Sequence, residues 1–190
     1  TKEEIIKSFE VPAKMKIFTY EGEKDTIMKP KDSIIYYKHM LQTGMMAMEP
    51  QTGHVKAWVG GINYKYFQYD HVGQGARQVG STFKPFVYAT AIDRLQKSPC
   101  DMIMDSPFTI LKGDNNYKDW TPNNSDGKYR GLVSMKKALA NSINTVSARL
   151  IHEVGAPAVV EMAKNVGVTS NIPNRPAIAL GAVEITVEEM

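Results

Sequence analysis

The sequence predicts an α/β fold that combines antiparallel strands in its first part with helices in its second part. Two apolar runs, 45–49 and 54–60, flank a Pro-Gln-Thr-Gly turn, which is typical of an antiparallel hairpin. Helical apolar spacing recurs downstream, over residues 81–95, 135–141, 144–154 and about 158–165. The chain has 190 residues, 43% of them hydrophobic, which is enough for a sizeable core.

The first part of the chain is divided by breakers. Residues 1–32 are charged and irregular, and we expect them to form a linker region that precedes the domain, with a short strand over 14–20. Residues 33–190 would then form the domain proper. Asp32 or Ser33 is placed to cap a helix that runs to about Gln42.

Proline and capping residues define the later helices. Proline disrupts a helix interior by about 3 kcal/mol, so the helix over 81–95 should begin within one turn of Pro85. Ser134 is placed to cap the next helix. At the chain end, Thr186 and Glu189 form a capping-box pattern that predicts the start of another helix. We therefore expect the chain to be a piece of a longer protein.

Composition excludes several classes of function. The net charge of +3 gives no basis for nucleic-acid binding. The single cysteine, Cys100, rules out an internal disulfide framework, and no run approaches the roughly 18 apolar residues of a membrane span. The four histidines, His39, His54, His71 and His152, show no convincing metal-ligand spacing, so we expect no metal site. We also expect no other cofactor.

A serine followed three residues later by a lysine can form a covalent catalyst. On a helix both side chains lie on one face, and a neutral lysine amine can take the serine proton. The spacing occurs three times, as Ser81/Lys84, Ser125/Lys128 and Ser134/Lys137. Only the first lies at a glycine-to-helix junction, although a capping serine with a surface lysine would produce the same pattern.

A second polar element, Ser142-Ile143-Asn144, lies at a break between two predicted helices. Its hydroxyl is suited to relay a proton, and its amide is suited to hold a substrate carbonyl. A polar corner between two helices is the alternative interpretation.

Taken together, these motifs resemble those of the penicillin-binding proteins, in particular the transpeptidase domain of the class A, bifunctional enzymes. The resemblance depends on the order of several segments, which covers most of residues 10–190. These segments are Met48–Gly61, Tyr69–Val72, Ala76–Phe86, Trp120–Asn123, Ser142–Asn144 and Ala179–Gly181.

The resemblance implies a serine β-lactamase/transpeptidase-like fold, with an antiparallel sheet, a helical lobe and the active serine at a helix start between them. It implies that Ser81 is the acylated nucleophile and Lys84 its general base. Ser142 would carry the proton to the departing D-alanine, and Asn144 would bind the substrate amide. Trp120 would border the cleft together with Asn123 and Asn124.

The implied function is D,D-transpeptidation, in which peptidoglycan stem peptides ending in D-Ala-D-Ala are cross-linked through a serine acyl-enzyme. β-Lactams would acylate the same serine. The parent protein would be membrane-anchored at the periplasmic face of the bacterial inner membrane and would carry a glycosyltransferase domain. A D,D-carboxypeptidase and a non-catalytic sensor of β-lactam or peptidoglycan are the alternatives. A β-lactamase is disfavoured because no E-x-x-L-N element follows Ser142.

Two departures from the family pattern matter. Val79 replaces the usual proline before the glycine, which is a mild change, and no K-T-G element follows Ser142. In the family that element supplies a carboxylate-binding face and half of the oxyanion hole. We therefore expect these 190 residues alone to be weakly active or inactive.

Overall fold

The computed structural model describes residues 1–113 and 118–190. These residues form two compact units, 1–71 and 72–190. The strands of the described residues pair only in antiparallel fashion, as predicted, but they form four separate two-stranded ladders. None of the helices in this part of the chain has the length and apolar character needed to cross a membrane.

The first unit contains two short helices and two hairpins. They are α1 (Lys2–Ser8), β1 (Ala13–Thr19), β2 (Gly22–Met28), α2 (Pro30–Lys38), β3 (Met45–Met48) and β4 (Val55–Val59). The strand expected over 14–20 and the hairpin around the Pro/Gly turn are both confirmed. Helix α2 begins at Pro30, earlier than predicted, because proline fits the first helical position, where its missing N–H is not needed.

The second unit contains the remaining elements. They are β5 (Arg77–Gln78), α3 (Lys84–Leu95), β6 (Met102–Asp105), β7 (Gly131–Ser134), α4 (Met135–Ala140), α5 (Asn144–Val154), α6 (Ala156–Asn165) and β8 (Glu184–Ile185). The helices predicted over 81–95, 135–141, 144–154 and about 158–165 are confirmed, and a 3-10 helix, Gly80–Phe83, leads directly into α3. The helix expected to start at Thr186 is not formed, because residues 186–190 make a turn. Ser134 caps α4 as expected, since its hydroxyl accepts a hydrogen bond from the Lys137 N–H at 3.3 Å.

The core of the second unit lies between α3, α5 and α6. Phe83, Val87, Val146, Leu150 and Ile178 are fully buried in it. The Ser81/Lys84 pair lies at the start of α3, and Ser142–Asn144 lies at the start of α5. Packing of these two helices therefore fixes the positions of both motifs.

The capping-box pattern at the chain end forms its reciprocal bonds. The Thr186 N–H donates to the Glu189 carboxylate at 3.2 Å, and the Glu189 N–H donates to the Thr186 hydroxyl at 3.4 Å. The same carboxylate accepts hydrogen bonds from the N–H and hydroxyl groups of Thr169 and Ser170. It therefore ties the loop after α6 to the last residues of the chain.

Candidate active site

Ser81 lies in the 3-10 helix at the start of α3 and is exposed. Gly80 before it has φ +58, and its N–H donates to the Gly181 carbonyl at 3.2 Å. Gly181 has φ +71, and a Cβ added there would lie 1.8 Å from the Gly80 carbonyl oxygen. Gly181 therefore allows the two backbones to approach closely, and Gly80 supplies the positive φ of the turn that presents Ser81.

Lys84, three residues after Ser81, is the first residue of α3 and is only 1% exposed. Its Nζ lies 2.7 Å from the Ser142 carbonyl oxygen, 3.0 Å from Ser142 Oγ and 2.7 Å from Asn144 Oδ1. Burial lowers the pKa of Lys84 to about 8. Lys84 is therefore a buried, hydrogen-bonded amine and not the solvated surface charge that the Ser/Lys spacing alone would also allow.

Ser142 has an unusual backbone conformation, with φ +53 in a residue other than glycine. It follows α4, and the next residue, Ile143, is 2% exposed and anchors the corner in the core. This conformation turns both the carbonyl and the hydroxyl of Ser142 toward Lys84. Residues held in such sparsely populated backbone regions cost about 1–3 kcal/mol and cluster at functional sites.

The partners of Lys84 determine how a neutral amine would be oriented. The Ser142 carbonyl and Asn144 Oδ1 can only accept, so they take the two N–H bonds of the amine. The lone pair then faces the Ser142 hydroxyl, whose Oγ lies 3.0 Å away. Because Ser81 and Lys84 lie three residues apart in a continuous helical segment, their side chains share a face. This arrangement can activate a serine hydroxyl as a nucleophile.

Among the described residues, neither Trp120 nor Ser125 is a hydrogen-bond partner of Lys84. Trp120 packs against the core, and its backbone bridges to Ile110 at 2.9 Å. Ser125 is exposed in a loop. Among residues 1–113 and 118–190, no group of three His, Cys, Asp or Glu side chains could hold a metal ion.

Sequence reasoning missed a buried carboxylate near the site, Asp105. It lies at the end of β6, is fully buried and accepts a hydrogen bond from Thr145 Oγ1 at 2.6 Å. The apolar run Met102–Met104 is the only local signal of a strand, and the structure shows that Asp105 lies on the same buried side of it as Ile103. An unexplained charge on the buried face of a strand calls for a partner.

Two family models match the chain. The penicillin-binding protein middle domain matches residues 1–41, and the penicillin binding protein transpeptidase domain matches residues 43–175. Penicillin-binding protein 1A of Neisseria flavescens is 36% identical over 148 residues, which is 77% of this chain and 18% of that protein. Penicillin-binding protein 1A of Aquifex aeolicus is also 36% identical, over 77% of this chain and 20% of that protein. The chain thus spans about a fifth of the length of these relatives.

Solved structures agree with the predicted fold. The crystal structure of penicillin-binding protein 1A from Haemophilus influenzae has a TM-score of 0.71 and 29% identity, over 78% of this chain and 22% of that chain. The PonA1 protein from Mycobacterium tuberculosis, in complex with penicillin V, shares the fold over 100% of this chain and 51% of that chain, with a TM-score of 0.65 and 20% identity. The expected transpeptidase-like α/β fold is confirmed, and the chain belongs to the family of penicillin-binding protein transpeptidase domains.

Proposed function

We propose that the protein is a peptidoglycan D,D-transpeptidase that cross-links stem peptides through a serine acyl-enzyme. The observation that carries this proposal is the buried Lys84, which Ser142 and Asn144 hold three residues away from the exposed Ser81. Membership of the transpeptidase family supports the choice of reaction.

Each residue has a defined role in this reaction. Ser81 Oγ attacks the carbonyl between the two terminal D-alanines while its proton passes to the neutral Lys84 amine. The proton then moves through Ser142 Oγ to the departing D-alanine nitrogen as the peptide bond breaks, which leaves an ester on Ser81. An acceptor amine attacks the ester and restores the serine. Asn144 and Trp120 would contact the substrate.

β-Lactams enter the same pathway as inhibitors. Attack of Ser81 on the lactam carbonyl opens the ring, and the new amine takes the proton through Ser142. The leaving group stays attached, so the ester persists. This proposal requires no metal and no organic cofactor, because serine, lysine and hydroxyl groups supply every proton transfer.

The setting of the whole protein is also a proposal. Its relatives are named penicillin-binding protein 1A, which supports a membrane-anchored parent with a glycosyltransferase domain, acting at the periplasmic face of the inner membrane. The division between a linker over 1–32 and the first part of the transpeptidase domain over 33–190 stays a prediction, while the matched family models meet near residue 42. The expectation that these 190 residues alone are weakly active or inactive also stays a prediction.

Mass spectrometry after penicillin treatment of the full-length protein tests the proposal. We expect an adduct on the Ser81 peptide that is lost in Ser81→Ala. Ser125→Ala is the matched control, since Ser125 has the same spacing to a lysine but lies in an exposed loop. An adduct on another serine, or none on the folded protein, would contradict the assignment.

A second step separates the alternatives after acylation is established. The protein is incubated with a D-Ala-D-Ala stem peptide and an amine acceptor. A cross-linked product supports the transpeptidase, release of D-alanine with hydrolysis indicates a carboxypeptidase, and an acyl-enzyme without either product indicates a sensor.

A further inference from the structure

A buried polar network lies behind the Ser142-Ile143-Asn144 corner, with Asp105 at its centre. One carboxylate oxygen accepts hydrogen bonds from Thr145 Oγ1 at 2.6 Å and from Asn124 Nδ2 at 2.7 Å. The other accepts from the Arg130 N–H at 3.0 Å, and the Arg130 guanidinium lies 3.5 Å away. Burial by itself would raise the pKa of Asp105, but these hydrogen bonds outweigh it and hold the pKa below its usual value. Asp105 is therefore a charged, fully partnered acceptor.

Asn124 links this carboxylate to the start of α5. Its Oδ1 accepts the main-chain N–H groups of Asn144 at 2.9 Å and Thr145 at 3.2 Å, which are otherwise unpaired at a helix N-terminus. Its Nδ2 donates to Asp105 and to the Lys128 carbonyl. Asn124 is 6% exposed, and all four of its hydrogen-bonding positions are used. The Asp105 carboxylate thus sets which way the Asn124 amide faces.

Asn123, the residue before Asn124, fixes the side chain of Asn144. Asn144 Nδ2 donates to the Asn123 carbonyl at 2.8 Å, which leaves Asn144 Oδ1 directed at Lys84 Nζ, 2.7 Å away. The segment Asn123–Asn124 therefore holds both the backbone and the amide of Asn144. A continuous chain of contacts runs from Asp105 through Asn124 and Asn144 to the lysine amine.

We infer that Asp105 and Asn124 are positioning residues for acylation, which orient the Asn144 amide and through it the Lys84 amine. This inference rests on the proposed function, because it assigns a task within that reaction. The competing interpretation is that the network only stabilises the fold. The two differ in what they predict for the acylation rate of protein that is already folded.

The expected effect follows from how far Asn144 is released. A misplacement of about 1 Å in a catalytic group can cost about 100-fold in rate. Asn124→Ala removes the acceptor for two N–H groups of α5 and the donor to Asp105. Asp105→Asn forces one donor to face another, since Asn124, Thr145 and Arg130 all donate to this side chain. We expect both variants to lose about 10- to 100-fold in limiting acylation rate.

A double variant provides the rescue. Asp105→Asn with Asn124→Asp keeps one charge in the network and reverses the direction of the hydrogen bond between the two side chains. The new carboxylate at position 124 still accepts the N–H groups of Asn144 and Thr145. Because the second oxygen of this carboxylate replaces the amide group that donates to the Lys128 carbonyl, we expect partial recovery, to a rate clearly above that of either single variant.

The control leaves the network untouched. Thr90→Ala removes a fully buried hydroxyl that bonds the Phe86 carbonyl at 2.7 Å within α3, the helix that carries Lys84. It should lower the melting temperature without changing the acylation rate. Thr145→Val and Thr145→Ser form a milder pair, since only the serine retains a hydroxyl for Asp105.

The limiting acylation rate is measured by stopped flow with a saturating fluorescent penicillin on the folded, full-length protein, alongside thermal unfolding. Slow acylation in both single variants, rescue in the double variant and an unchanged Thr90→Ala rate support the inference. Single variants within about two-fold of the unaltered protein would overturn it, as would a Thr90→Ala loss of equal size. If the single variants do not fold, the Thr145 pair decides: equal rates for valine and serine overturn the inference. If unaltered Ser81 takes no penicillin, the proposed function itself is wrong and the inference falls with it.

Discussion

The pKa of Lys84 gives the sharpest prediction, because it sets how acylation depends on pH. With a pKa of about 8, about one-tenth of the amine is neutral at pH 7 and about nine-tenths at pH 9. If the neutral amine is the base, the acylation rate should rise about 10-fold between these pH values and then level off. A lysine at its usual value of 10.5 would instead give about a 100-fold rise with no plateau below pH 10.

The assay is the second-order rate of acylation by a fluorescent penicillin from pH 6 to pH 10. The Ser81→Ala protein supplies the background from hydroxide attack on the lactam. Lys84→Arg is the matched variant, because guanidinium keeps the charge and does not deprotonate in proteins. It should lose about 10²- to 10⁴-fold in rate at every pH. A flat profile, or one that climbs 100-fold to pH 9, would refute the assignment of Lys84 as a desolvated base.

Thermal stability gives an independent check on the same shift. Because the folded-state pKa of Lys84 lies below its unfolded value, the unfolded chain binds the extra proton between about pH 8 and pH 10.5. Stability should therefore rise with pH from 8 to 10. Above pH 10 the trend reverses through Tyr88, whose pKa burial raises to about 12, since only the unfolded chain then loses that proton. Absence of the rise in Lys84→Met would assign it to the lysine.

Three further predictions concern Gly181, Ser142 and Glu189. Gly181→Ala puts a Cβ 1.8 Å from the Gly80 carbonyl oxygen and should slow acylation about 100-fold. Gly127→Ala, also at positive φ but in open space, should leave the acylation rate unchanged. Equal rates for the two variants would contradict a role for the contact between Gly80 and Gly181. Ser142→Gly and Ser142→Ala should both lose activity, but urea unfolding should find the glycine variant about 1 kcal/mol more stable, because φ is +53 there. Glu189→Gln removes a carboxylate that accepts hydrogen bonds from six donors, so protease cleavage within residues 166–190 should increase. Unchanged cleavage would show that these hydrogen bonds do not hold the segment in place.

Much of the local structure could be predicted from the sequence. Pro85 limits where α3 can begin, and the helical spacing of apolar residues places α5 at residues 144–154. The hairpin around the Pro/Gly turn is equally local. These features depend on backbone dihedrals and on neighbours within one or two turns, which a sequence displays directly.

The network behind the site was not predictable in the same way. Asp105, Asn124 and Thr145 are distant in sequence and show no shared motif. Asn124 lies in a Pro/Asn/Gly loop, where its side chain could as well face solvent. Only the packing of β6, α5 and the loop that carries Asn124 brings the three together, because hydrogen-bond partners across a fold are selected by tertiary contacts.

The sequence by itself therefore predicted Ser81 and Lys84 as the candidate reactive pair, since their spacing at a glycine-to-helix junction is a local property. Tertiary structure alone decided what those residues can do. Lys84 acquires a lowered pKa because the core removes its water, and its amine is oriented because Ser142 and Asn144 reach it from 58 and 60 residues away. Desolvation and long-range hydrogen bonds exist only in the folded chain, so no local pattern encodes them.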